Sequence, residues 1–245
     1  MRESASLPPT RPIVPHKARF VLDAMEHYAI RSFADLGGSW GVHGGYAYQA
    51  LLPFPVERAF LVDDFVPPAV AERFVNYPQF DIIKGAFGLK ETVEALPQVD
   101  ALFLFDILLH QVDPNWDAVL ELYARKTQHL LVYNQQWVGS AQTVRLTDMT
   151  PEHYVTNTPF AAWEDRAKAL EAVRGIYAGF GTPHTKFGGK NRRDCPDVWQ
   201  WGITTPDLVT ACYGLGFKLD RMQNYGLFAP ELKSFENHGY WFTRR

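Results

Sequence analysis

Cysteine is scarce in this chain, with Cys195 and Cys212 alone among 245 residues. Two isolated thiols supply neither a metal-ligand spacing nor a disulfide framework, which excludes a zinc module and a cross-linked secreted scaffold. Long apolar runs are missing as well. No stretch of about eighteen consecutive apolar residues occurs, so no membrane-spanning helix is expected. The first seventeen residues hold four prolines and lack the apolar centre of a secretory signal; they read as a flexible or surface-laid arm. An excess of one charge is absent too, with 24 Lys plus Arg against 27 Asp plus Glu and a formal net charge of −3. That balance gives no general attraction to nucleic acid. The one basic cluster, Lys186 to Arg193, has no recognition motif around it and reads as a solvated loop, as basic side chains usually do. The expectation is a cytoplasmic protein with neither a membrane nor a nucleic-acid partner.

With 47% hydrophobic residues, the chain has ample material for one buried core, and residues 18–245 read as a single α/β domain. Its organising stretch is FADLGGSWGVHGGYAYQALL, Phe33 to Leu52. A short apolar approach ends in Asp35, a turn follows at Gly37, Gly38 and Gly41, and a helix is expected from about His43 to Leu52. Strand, tight turn and helix form the opening of a doubly wound nucleotide site, where free N–H groups at the helix start face the ligand. The spacing departs from the dinucleotide fingerprint G-x-G-x-x-G. An acid two residues ahead of the first glycine repels a pyrophosphate and suits a ligand that carries positive charge or hydroxyl donors.

On these residues the chain resembles the class I S-adenosylmethionine-dependent methyltransferases of the small-molecule type. Asp35-Leu36-Gly37-Gly38-Ser39-Trp40-Gly41 is similar to their first motif, with Ser39 in place of the middle glycine. A second similarity lies in FDILLHQVDPNW: an apolar strand, a turn with a histidine, then an aspartate-proline helix start. The resemblance covers roughly residues 30–137 and 203–245. It implies a doubly wound, mostly parallel seven-stranded sheet of Rossmann-like form. The segment 138–205 between the fifth and sixth strands matches no part of that family; its length, turn formers and aromatics read as an inserted helical and loop cover over the substrate. The resemblance also implies S-adenosylmethionine as cofactor, S-adenosylhomocysteine as product, and a turn at Gly37 and Gly38 that holds the methionine part.

The rest of the chain supplies the other candidates. The second strand, Ala59 to Val62, ends in Asp63 and Asp64, where a carboxylate meets ribose hydroxyls; Asp63 is preferred because it follows the strand directly. Phe87, after a third strand from Phe80, covers the adenine or joins the core. Asp106 interrupts the apolar run VDALFLFDILL, and a lone carboxylate there marks the carboxyl end of a strand. The resemblance places Asp106 to His110 between cofactor and acceptor. His110 is then the candidate general base, its ordinary pKa of about 6.5 suiting it to neutral pH, or a packed turn residue. Asp106 and Asn134 match parts of a metal-dependent subgroup's pattern whose second acid is absent; magnesium is left open and no metal site is predicted. Asn134 and Trp137, after a fifth strand from His129 to Tyr133, and His184, Trp199 and Trp201 in the inserted segment are candidate acceptor contacts. For those three, core or hinge packing is the alternative. Aromatics in this segment also suit a homodimer interface.

The implied chemistry is in-line transfer of a methyl group to a small acceptor, preferably an oxygen of a sugar or secondary metabolite, with nitrogen as the alternative. Two rival classes remain open: a nicotinamide-dependent reductase on a similar fold, and a methyltransferase-like scaffold or regulatory protein without catalysis.

Overall fold

The structure, a computed structural model, describes residues 11–185, 189–195 and 197–245. In chain order its first elements are α1 (Pro15–His27), β1 (Ser32–Leu36), α2 (Gly45–Leu51), β2 (Arg58–Asp63), α3 (Pro68–Phe74), β3 (Phe80–Lys84), α4 (Lys90–Ala95), β4 (Val99–Phe105), α5 (Trp116–Ala124) and β5 (Thr127–Trp137). There follow β6 (Val144–Arg145), α6 (Pro151–Thr156), α7 (Arg166–Ala178), β7 (Trp201–Gly202), α8 (Thr205–Gly214), β8 (Phe217–Leu227) and β9 (Phe235–Arg244).

The main sheet has seven strands in the order β3-β2-β1-β4-β5-β9-β8. The first five are parallel, and β9 enters antiparallel between β5 and β8. This is the doubly wound, mostly parallel sheet that the glycine motif and its neighbours imply. Strand order reverses between β1 and β4, and the carboxyl ends of these strands are where doubly wound sheets form their ligand crevice. The continuous apolar runs of β1, β2 and β4 follow from burial on both faces. On one face, Phe33, Phe103 and Leu131 meet Phe20, Val21 and Met25 of α1, Tyr46 of α2 and Phe74 of α3. On the other, Leu36, Leu102 and Val132 meet Val93 of α4, Leu120 of α5 and Leu208 of α8.

Several boundaries differ from the sequence reading. β5 continues to Trp137, beyond the expected Tyr133, because Asn134 to Trp137 pair with His238 to Phe235 of β9. The apolar run after Val99 stops as strand at Phe105, since Asp106 takes a left-handed φ of 57° and a short turn, Leu108–His110, follows. A turn at Pro159–Ala162 precedes α7, which starts where the Asp165 side chain accepts from Lys168 N at 3.0 Å.

The segment between β5 and α8 has its own core, in which Trp137, Leu146, Tyr154, Val173 and Phe235 pack together. It is tied to the loop after β4 by Gln200 N donating to Leu109 O at 3.1 Å and Trp201 Nε1 donating to Gln111 O at 2.7 Å. Of the basic cluster, residues 186–188 lie outside the described part; Lys190, Arg192 and Arg193 pair with Asp113, Asp197 and Asp148. Among the described residues, no helix is long and apolar enough to cross a membrane.

Candidate active site

The turn after β1 is built around a buried carboxylate. Asp35 is 1% exposed; the Ala47 backbone N–H is near enough to favour its ionised form, but neither oxygen makes a well-formed hydrogen bond. A Cβ on Gly38 would stand 2.1 Å from Asp35 Oδ2, so glycine is the one residue that leaves this carboxylate room. Gly37 adopts φ +71°, and a Cβ there would lie 2.7 Å from Ile107 Cγ2 and 3.3 Å from the Phe87 ring. The loops after β3 and β4 therefore flank the turn, and Phe87 stands beside it while also packing on the core. Ser39 Oγ and His43 Nε2 are likewise buried without partners. Four orphaned polar atoms around one glycine turn are a site that a ligand's hydroxyls and cationic groups would complete. Burial first, then the charge of Asp63, pushes the Asp35 carboxyl up to about 8.

Asp63 stands against the same turn. Its Oδ2 accepts from Ser39 N at 3.1 Å and its Oδ1 from Phe65 N at 3.0 Å, while Asp64 is exposed. Each Asp63 oxygen keeps a lone pair for a further donor. Its carboxyl is raised to about 6, chiefly by burial.

A second polar centre lies at the ends of β4 and β5. Asp106 forms an ion pair with Lys17 and accepts from Gln135 Nε2 at 2.7 Å. The Lys17 ammonium lies 4.4 Å from the ring centre of Tyr133 and 5.2 Å from that of Tyr46, and the residue is 4% exposed. Tyr133 OH bonds His16 Nε2 at 2.6 Å. Burial and the adjacent Lys17 charge lower the His16 pKa, while burial raises that of Tyr133.

Of the two readings of residues 1–17, a flexible or a surface-laid arm, these contacts match the second for the residues described. Residues 1–10 lie outside the described part, but residues 11–17 are laid over the site. Arg11 N donates to Gly41 O at 2.5 Å, the Arg11 guanidinium stacks 4.3 Å from the Trp40 ring, and Val14 N donates to Tyr46 OH at 3.2 Å. Gly41 thus faces this strap. Apolar packing of α1 on the sheet draws the strap in, because α1 starts at Pro15 and buries Phe20, Val21 and Met25.

The remaining candidates are held by contacts of their own. His110 Nδ1 bonds Val198 O at 3.2 Å, which holds the ring against the inserted segment. Asn134 is fully buried within β5, its Nδ2 donating to Gln136 Oε1 at 3.2 Å, on the sheet face opposite Gln135 and Asp106. Trp137 packs on Phe235 and donates to Ser140 Oγ at 2.7 Å. Trp199 packs between Phe228 and Phe235, and Trp201 is pinned to Gln111. The three tryptophans hold the inserted segment together and onto the sheet. His184 lines a separate cavity of about 410 Å³ with Ile176, Thr182 and Arg192. Among the described residues no three metal-ligating side chains converge.

Lys17, His16, Tyr46 and Tyr133 are absent from the sequence candidates. One signal existed for Lys17: it continues the stripe Val21, Ala24, Met25 one turn upstream, and a lysine on an apolar stripe needs a buried counter-charge. Tyr133 and Tyr46 carry no local mark beyond their apolar neighbours.

No family profile matches the sequence, and no curated protein does. Solved structures do match. An O-methyltransferase family protein from Burkholderia thailandensis superposes with a TM-score of 0.55 at 12% identity, over 94% of this chain and 55% of that one. Magnesium protoporphyrin IX methyltransferase from Synechocystis PCC 6803, with bound SAH, gives 0.54 at 9% identity, over 94% and 83%. A protein from Pyrococcus horikoshii assigned as an RNA methyltransferase gives 0.53 at 12% identity, over 98% and 94%. The fold is that of the class I methyltransferases. The chain spans about 55% of the length of other neighbours, including LaPhzM.

Proposed function

We propose that the protein is an enzyme that transfers a methyl group from S-adenosylmethionine to a small-molecule acceptor. The observation that carries this reading is the Asp35 carboxylate, buried and unpartnered beneath Gly38 at the carboxyl end of β1, in a sheet of this topology. A donor bearing a sulfonium, an ammonium and ribose hydroxyls answers the orphaned groups there. Bound, that donor brings its own activated methyl carbon, and the protein's work is placement, exclusion of water and custody of a proton.

In this reading Asp35, Gly37, Gly38, Ser39 and Gly41 cradle the methionine part, Asp63 receives the ribose hydroxyls, and Phe87 lies along the adenine. Asp106, fixed from two sides by Lys17 and Gln135, faces the acceptor. The strap and residues 138–205 shut out water. An oxygen acceptor of the sugar or secondary-metabolite kind is preferred, with nitrogen second. Structural neighbours described as O-methyltransferases support this preference, as does the net charge of −3, which disfavours a nucleic-acid acceptor. Proton acceptance falls to His110 or to His16.

Calorimetry tests the reading. Binding of S-adenosylmethionine and of its demethylated product, with no binding of nicotinamide dinucleotides, is expected. If the folded protein takes up neither donor nor product at millimolar concentration, the reading fails. A scaffold role is the second reading, favoured by a strap that already closes over the turn. Donor binding with no transfer across a broad acceptor panel would select it.

A further inference from the structure

Lys17 is the one buried lysine or arginine among the described residues, and it stands where the donor's charges would lie. Its ammonium pairs with Asp106, rests between the faces of Tyr46 and Tyr133, and acts electrostatically on Asp35. Three carboxylates, Asp35, Asp63 and Asp106, surround the same crevice. S-adenosylmethionine carries a single anion, the α-carboxylate of its methionine part, and those carboxylates repel it. Among the described residues, only Lys17 offers it a buried opposite charge.

Building on the donor reading above, we propose that Lys17 is the positioning residue that binds the donor's α-carboxylate and thereby selects donors with an intact amino-acid tail. The ammonium has three N–H donors, and Asp106 engages one side of it, so a second carboxylate can be taken without breaking the first contact. Desolvation by the two rings strengthens such a charge-assisted bond. The assignment gives α1 a role in recognition: its apolar face docks on the sheet and carries the lysine into the crevice.

The test compares two ligands, S-adenosylhomocysteine and 5′-methylthioadenosine, which lacks the amino and carboxyl groups. Binding of each is measured by calorimetry to wild type, K17M and K17R. In wild type the tailed ligand should bind more tightly. In K17M that preference should shrink at least about tenfold, the size of one charge-assisted hydrogen bond, and K17R should retain most of it. Decarboxylated S-adenosylhomocysteine should lose a similar factor on wild type, which keeps the test decisive if K17M does not fold. Equal weakening of both ligands in K17M, or none, overturns the Lys17 assignment while leaving the donor reading intact. Failure of wild type to bind S-adenosylhomocysteine at all removes the donor reading and this assignment with it.

Discussion

Gly38 and Asp35 are so close that the turn admits no side chain. Gly38→Ala would drive its methyl group into the carboxylate, 2.1 Å away, and should destabilise the protein by about 1–3 kcal/mol, read by urea denaturation. The same change should abolish detectable product binding, because the displaced carboxylate fills the cradle. Tyr133→Phe is a milder probe. It removes the 2.6 Å bond to His16 and should cost about 1 kcal/mol with the fold unchanged. At this scale the sequence was legible where a residue's type is dictated by backbone geometry, as in Asp35-x-Gly-Gly, and where an acid ends a strand, as at Asp63. It was not legible where partners come together from distant positions. Lys17 and Asp106 are 89 residues apart, and nothing near either one names the other.

The elements divide in the same way. Central strands announce themselves as apolar runs, and their order follows from a doubly wound topology. Their ends do not: β5 outruns its apolar core by four residues because Asn134 to Trp137 find backbone partners on β9, a pairing made by the far end of the chain. That extension converts Trp137 from an expected acceptor contact into the foundation of the inserted segment, where it meets Phe235 and lies against Gly202. Trp137→Ala should therefore cost about 3–5 kcal/mol, concentrated in residues 138–204. Hydrogen exchange should show protection lost there while β1, β2 and β4 remain protected. A change confined to acceptor affinity, with no loss of protection, would argue for a contact role instead.

Across the whole molecule, the buried acids make both stability and binding depend on pH. The Asp35 carboxyl rises from 3.8 to about 8, so the folded state holds a proton that the unfolded chain has released. Stability of the unliganded protein should therefore fall as pH rises from about 4 to 8, with Asp63 adding to the decline up to about 6. Asp35→Asn should flatten that slope in a series of thermal melts. A cationic donor favours the ionised carboxylate, so its affinity should increase severalfold between about pH 6 and 7.5, below the range in which the donor's own ammonium deprotonates, with proton release at pH 7. Titrations in buffers of different ionisation heat would show that release.

The strap that runs from Arg11 to Lys17 touches the glycine turn at one end and Asp106 at the other. Any free energy with which a bound donor tightens or loosens this segment must be returned, factor for factor, when the segment is held or freed by other means. Attaching a bulky label ahead of Arg11 would then shift the donor's dissociation constant without touching a single residue of the crevice.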